Sequence, residues 1–412
     1  MNAAMCPDMN PGELPAAVVI GGKLNGLGVI RSLRGAGMSI AVIDSVRWAP
    51  AMWSRSCRRV VAQALHGQPL IDCLIRLRSF FATSPVLFVT DEMAVYSISD
   101  YRDVLAKSYR FRLPSREMVD ALADKVRFHR LAEAGNFAVP RSLVIEQRSD
   151  LTRLAELNFP VVIKLADKQL MHRGLAKSVY SVDTLHHAEA LASELFSIAG
   201  RLIVQERIPG PDSDIYFCLF YCGRDGTPVS LFTGRKIRSR PPRVGGTAIC
   251  VAAPPAAHAE LEPLTRRFID YAGFFGMGGV EYKWHAAQRR FVIIEPTVGR
   301  TDWQEEIATL CGENIPLRAY SEEVGWPLAK TANRFRDVAW RETVATHWPT
   351  HLMGKPELIY DAYWRSNDPI PALAYYGGAW VPRAWRSLSF RERRLARCKV
   401  AAAAMSINME NS

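Results

Sequence analysis

Short apolar runs alternate with amphipathic stretches along the first third of the chain. Positions 16–20 (AAVVI), 39–44 (SIAVID) and 86–90 (VLFVT) are brief and almost wholly apolar, the pattern of strands covered on both faces. A glycine-rich turn, GGKLNGLG, follows the first run and leads into a helical stretch ending near Gly37. Strand and helix alternating in this way predict a parallel α/β sheet. Ser115 can cap a long helix through Ala134, with Met118, Val119, Leu122, Val126 and Leu131 on one face and Gly135 and Asn136 ending it. Strands are expected at 159–166 and 202–208, with a helix over 183–199 between them. Runs at 215–222 and 229–237 read as a hairpin about Arg224, Asp225 and Gly226. A helix over 260–275 precedes the most informative stretch.

That stretch is GGVEYKWHAAQRRFVIIEPTVGR, residues 278–300. Val280, Tyr282 and Trp284 give one strand and 291–294 the other, with 285–290 as the turn. Each arm carries one carboxylate, Glu281 and Glu295. Adjacent strands lie only about 4.8 Å apart, so the two acids can sit side by side. Carboxylates that close repel unless a proton or a cation lies between them, and hard oxygen ligands on strands suit Mg²⁺ bridging nucleotide phosphates. A surface hairpin whose glutamates pair with Lys283 and Arg290 is the plainer alternative. Thr301 and Gln304 have capping-box spacing for a helix over 302–311, and Pro316 suits the first turn of the next.

The 412 residues, 49% hydrophobic and 23% charged, suffice for two or three packed domains and argue against wholesale disorder. A formal charge of +11 favours anionic ligands without choosing among them. Nucleic acid is not expected, because aromatic and basic residues are not interleaved in a binding motif. Eight scattered cysteines lack zinc spacing and read as reduced, buried thiols of a cytoplasmic protein. The first residues have no basic and apolar leader pattern, and no apolar stretch is long enough to span a bilayer. The basic tail FRERRLARCKVAAAAM could touch an anionic membrane weakly, although an exposed terminal helix is the safer reading. Oligomeric state is not legible.

Several positions could hold an anion. Asp44 stands where a dinucleotide fold places its ribose acid, but Gly22, Gly26 and Gly28 do not make G-x-G-x-x-G, and no Lys-Ser/Thr follows for a phosphate loop. A tight strand-to-helix turn is the better reading there. Lys125 lies in the helix over 115–134, and Lys164 sits among apolar neighbours in FPVVIKLA; each either reaches solvent or meets an anion. Residues 167–177 (DKQLMHRGLAK) form a polar stretch suited to a flap. The basic stretch GRKIRSRPPRVGG, with Arg235 and Lys236, reads as a loop because of its glycines and prolines.

In this order, Lys125, Lys164, Gln205 and Glu206, Asp214, the basic stretch, Glu281, and Glu295 through Arg300 resemble the ATP-grasp superfamily. The resemblance is to its carboxylate–amine ligase branch, which includes D-aspartate ligases and carbamoyl-phosphate-synthase-like proteins, and it covers roughly residues 113–320. It implies an N-terminal parallel α/β domain (1–112), a two-lobed α+β ATP-grasp domain (113–330, lobes about 113–205 and 206–330) and a C-terminal extension (331–412). It further implies that Lys125 and Lys164 neutralise ATP phosphates and that the linker Gln205–Glu206–Arg207–Ile208 holds adenine through its backbone. Asp214 would bind the ribose. Glu281 and Glu295 would hold Mg²⁺, with Thr297 in the place usually taken by Asn. Arg300 would contact the reacting phosphate or acyl group, one residue later than usual. Arg235 and Lys236 fall where substrate or the γ-phosphate often binds. The activity implied is ATP-dependent joining of a small carboxylate to an amine through an acyl phosphate. A non-catalytic nucleotide-binding scaffold is the alternative, motivated by Thr297 and the tryptophan-rich tail.

Overall fold

The computed structural model describes residues 14–166, 179–243, 245–327, 337–344, 346–349 and 356–380. The expected flap at 167–177 and the basic tail lie outside them.

The first sheet contains β1 (Ala17–Ile20), β2 (Ile40–Asp44), β3 (Arg58–Val61) and β4 (Val86–Val89), all parallel, in the order β3-β2-β1-β4. Three of these are the apolar runs of the sequence. β3 (RRVV) was not expected, because its mostly exposed side chains give no buried-strand pattern. The glycine-rich turn is explained by packing. A Cβ on Gly26 would lie 1.9 Å from the Gly21 carbonyl oxygen, and one on Gly22 would meet Asp44. Asp44 is itself buried and accepts hydrogen bonds from the backbone N–H of Gly22 (2.5 Å) and Val46 (2.7 Å).

The second sheet, β5 (Ser142–Ile145), β6 (Val161–Leu165), β7 (Val179–Val182) and β8 (Leu202–Glu206), runs β5-β8-β6-β7 and is antiparallel throughout. The helix Leu185–Ala199 covers it. Its core, including Ile145, Leu154, Val161, Ile163, Leu195 and Val204, is separate from the rest. The third sheet has seven strands: β9 (Ile215–Cys222), β10 (Pro228–Arg240), β11 (Gly246–Ala252), β12 (Gly276–His285), β13 (Arg290–Val298), β14 (Val338–Arg341) and β15 (Leu358–Asp361). Their order is β13-β12-β9-β10-β11-β14-β15. β14 and β15, from the stretch expected as a C-terminal extension, continue this sheet beyond β11. The first and third sheets share two hydrophobic cores, one joining Val18, Leu87 and Ile98 to Phe220 and Tyr282, the other joining Val19 and Leu27 to Phe217 and Trp340.

Three expectations are corrected. The helix over 115–134 is two helices, Arg116–Ala123 and Lys125–Ala134, because Asp124 adopts an extended conformation and caps the second by accepting from the N–H groups of Val126 and Arg127. The basic stretch at 234–246 is mostly strand. β10 continues to Arg240 and pairs with β11, leaving only the short turn after it. Only Ile237 is apolar between Arg235 and Arg240, so the run shows no apolar alternation, and the flanking glycines and prolines point to a loop. The capping box at Thr301 does not form. Thr301 is buried and hydrogen-bonded to Asn25, and the helix is confined to Glu306–Cys311.

The described cysteines are unbridged. All are buried except the half-buried Cys57, and burial pushes the Cys218 and Cys222 thiols up to about 12, which keeps them protonated and inert. No helix among the described residues is long and apolar enough to cross a membrane.

Candidate functional site

β12 and β13 pair as the hairpin read from the sequence, and Glu281 stands directly opposite Glu295. A bulge follows immediately, between Glu281 and Tyr282, at the kind of position where bulges re-aim side chains. The two glutamates do not pair with Lys283 and Arg290 as the surface-hairpin alternative required. Glu281 binds Lys236 of β10 at 2.5 Å, and Glu295 lies 3.6 Å from Lys125. Lys283 instead donates to the Gly210 carbonyl, and Arg290 to the Gln288 side chain.

These two ion pairs border a cavity of about 350 Å³ lined by Lys125, Lys236, Glu281, Glu295, Thr297 and Arg300, together with Glu92, Thr247, Asp302, Trp303 and Gln304. The break at Asp124 makes Lys125 the first residue of its helix. Strand alternation puts Lys236 inside, with its side chain only 4% exposed. Burial raises the Glu281 carboxyl above the ordinary glutamate range. The nearby Lys236 opposes that shift, and Asp302 and Glu295 add to it.

A second cavity, of about 140 Å³, adjoins the first through Lys236, Glu281 and Glu295. It lies between the second and third sheets and is lined by Lys164, Gln205, Glu206, Arg207, Ile208 and Lys283, with Val162, Ile215 and Ile294 as apolar wall. The Glu206 carboxylate is turned away to accept from the backbone and side-chain nitrogens of Asn158 (2.8 and 2.9 Å). Its side chain is thereby occupied.

Two predicted residues are not brought to either cavity wall. Arg235, adjacent to Lys236 on an alternating strand, donates to the Ser213 carbonyl at 2.6 Å and lies over the Tyr216 ring at 5.4 Å. Asp214 ends the short turn Asp212–Asp214 beside it. Thr297 and Arg300 line the larger cavity, and both donate to Asp302, at 3.1 and 3.4 Å. Sequence reasoning passed over Asp302 because it was read as the first turn of a helix. Its signal was a carboxylate two residues beyond Arg300. Glu92, the first residue of the helix after β4, reaches the cavity from the first α/β unit.

The site offers two adjacent carboxylates rather than a closed cage. Among the described residues no cluster of three or more Asp, Glu, His or Cys is arranged to hold a metal. One or two carboxylates completed by phosphate oxygens is the usual provision for Mg²⁺, so the donor set fits that ion together with a nucleotide. Burial is the largest cause of the raised Glu281 carboxyl; Asp302 and Glu295 add to it, and a cation among them would offset that part.

No protein-family model matches this sequence, and no curated protein matches it either. Solved structures do. The chain is similar to an N5-carboxyaminoimidazole synthase from Aspergillus clavatus in complex with ADP and 5-aminoimidazole ribonucleotide, at 11% identity and TM-score 0.59, covering 79% of this chain and 80% of that one. It is similar to the biotin carboxylase of Campylobacter jejuni in a β,γ-ATP complex, at 12% identity and TM-score 0.61, covering 78% and 74%. It also matches the biotin carboxylase domain of the Hydrogenobacter thermophilus 2-oxoglutarate carboxylase, bound to MgADP, ADP and bicarbonate, at 13% identity and TM-score 0.59, covering 79% and 73%. With its parallel α/β unit followed by an antiparallel four-stranded sheet and a mainly antiparallel seven-stranded one that carries the Glu281–Glu295 pair, this chain has the ATP-grasp fold.

Proposed function

We propose that the protein is an ATP-dependent ligase that activates a small carboxylate as an acyl phosphate and joins it to an amine or similar nucleophile in the cytoplasm. The observation that carries this reading is the convergence of Lys236–Glu281 and Lys125–Glu295 on one cavity wall. The nucleotide-bound structures that share the fold support it.

The adenine belongs in the smaller cavity, against the backbone of Gln205 to Ile208. The phosphates run toward Lys164 and Lys125, and Asp214, which lines neither cavity, is left out of the ribose contact. Glu281 and Glu295, with the Thr297 hydroxyl beside them, would hold Mg²⁺. When bound there, the ion supplies charge clamping and orientation of phosphate oxygens rather than an activated water.

A carboxylate is a poor acyl donor because its oxygen leaves badly. Transfer of the γ-phosphoryl group to it releases ADP and converts that oxygen into phosphate, which the amine then displaces as the new C–N bond forms. The first step brings an anion to an anion, so its cost is mostly electrostatic. Lys125, Lys236 and Arg300 provide fixed positive charge where that repulsion builds up. Asp302 accepts from Arg300 and holds its guanidinium at the cavity wall. No side-chain nucleophile is needed. Arg235 is a structural cation in this arrangement, and Lys236 takes the role shared between them in the sequence reading.

The test is ADP release on mixing the protein with Mg-ATP and a panel of acid–amine pairs. Turnover that needs both members of a pair supports the ligase. Bound ATP with no turnover across the panel contradicts it.

A further inference from the structure

The loop after β2 and the strand β3 that follows it carry basic and aromatic side chains. Residues 45–71 contain Arg47, Arg55, Arg58 and Arg59 and no aspartate or glutamate. Trp48 is 71% exposed, and its ring stacks on Trp53 with centroids 5.1 Å apart and planes 15° from parallel. The guanidinium of Arg59 lies 5.1 Å from the Trp53 ring on the same surface. Val46 and Val61 are also exposed. An indole left in water forgoes a large burial energy, and aromatic side chains with arginine mark the surfaces where proteins bind.

The strand beside this patch is an edge. β3 pairs with β2 on one side and with no other strand among the described residues. An edge presents N–H and C=O groups to an added strand. Arg58 and Arg59 are successive residues, so they stand on opposite faces of the strand and would flank whatever pairs there. Arginines alone on an edge discourage association. The exposed Trp48, stacked on the half-buried Trp53, does the reverse.

We propose that this face docks an extended acidic segment of a partner protein. The segment adds to β3 as a further strand, sets carboxylates against Arg58 and Arg59, and lays an apolar side chain on Trp48. Charge complementarity selects the acid, and the open strand edge selects a polypeptide over a nucleic acid, which has no backbone ladder to offer. This surface is separate from the residues that line the two cavities, so the inference stands whether or not the ligase reading does.

The experiment is fluorescence anisotropy of a labelled Glu-Val repeat peptide titrated with the full chain. The expected result is saturable binding that weakens as sodium chloride is raised and falls about tenfold in R58E/R59E and in W48A. The melting temperature should be unchanged in both variants, which shows that they are folded. A Lys-Val repeat peptide should not bind. Failure of the acidic peptide to bind, or equal binding by the variants, overturns the proposal. So does preferential capture of oligothymidylate or of phosphatidylserine vesicles, or a protein that dimerises through this face and loses its dimer in W48A.

Discussion

The chain twice places acids near glycines in its sheets, once at Gly22 and Asp44, where the acid ends a strand, and once at Gly279, Glu281 and Glu295, within two paired strands. At the first, both Asp44 oxygens are taken by backbone N–H groups, and the glycines sit where any Cβ would strike backbone or the acid itself. At the second, each glutamate meets a lysine from another element, and the pairs open on a cavity with room for a ligand. A carboxylate satisfied by its own loop is part of the scaffold. Carboxylates that need cations from elsewhere, and remain partly exposed, form a site. The difference lies in which partner each acid finds.

The contrast can be broken by substitution. Glu295→Gln should cut ligase turnover by about 10²–10³-fold with little change in melting temperature, because it removes charge where phosphates and Mg²⁺ are handled. A scaffold protein would keep its function in that variant, so steady-state rates decide between the readings. Lys236→Met should lower stability by about 2 kcal/mol in urea denaturation, since it strands the partly buried Glu281 carboxylate, and should remove turnover as well. Lys236→Arg should recover stability better than activity.

The scaffold side predicts stability effects without catalytic ones. Glu305 is fully buried against the N-terminal helix; a Cβ on Gly28 would lie 3.1 Å from its Oε2, and burial next to Glu306 raises its carboxyl to about 8. The folded state therefore holds a proton that the unfolded state releases at ordinary glutamate pH. Stability from this group is full below the ordinary range and is lost as pH rises to about 8. Glu305→Gln should flatten that fall, with a gain on the order of 1 kcal/mol at pH 8 measured by denaturation. Asp44→Asn should cost about 1 kcal/mol by weakening the bond to the Gly22 N–H, with the ligase rate within a few-fold of the parent. A large loss of turnover in Asp44→Asn would erase the distinction.

What could be read from the sequence follows the range of the interactions involved. β1, β2 and β4, the β9–β10 hairpin and the Glu281–Glu295 pairing rest on local patterns and turns, and these are where expected. The break at Asp124 was hidden because the apolar face of residues 118–131 continues across it, and only the capping hydrogen bonds reveal two helices. Arg235 and Lys236 could have been separated beforehand, since neighbours on a strand face opposite ways and only one could enter the site. Glu92 and Trp303 reach the cavity through tertiary packing and carry no signal in their own spacing, whereas Asp302 is marked only by following Arg300 by two residues. β14 and β15 gain their place only by pairing with a sheet begun more than a hundred residues earlier.

The central claim is that Glu281 and Glu295 face a metal-bearing nucleotide held near Lys125 and Lys164. It is tested most directly by calorimetric titration of the protein with ADP, with and without Mg²⁺, alongside the Glu281→Gln and Glu295→Gln variants. The account predicts binding that Mg²⁺ strengthens in the parent and leaves nearly unchanged in either variant. Absence of nucleotide binding, or an affinity indifferent to Mg²⁺ in the parent, would contradict it.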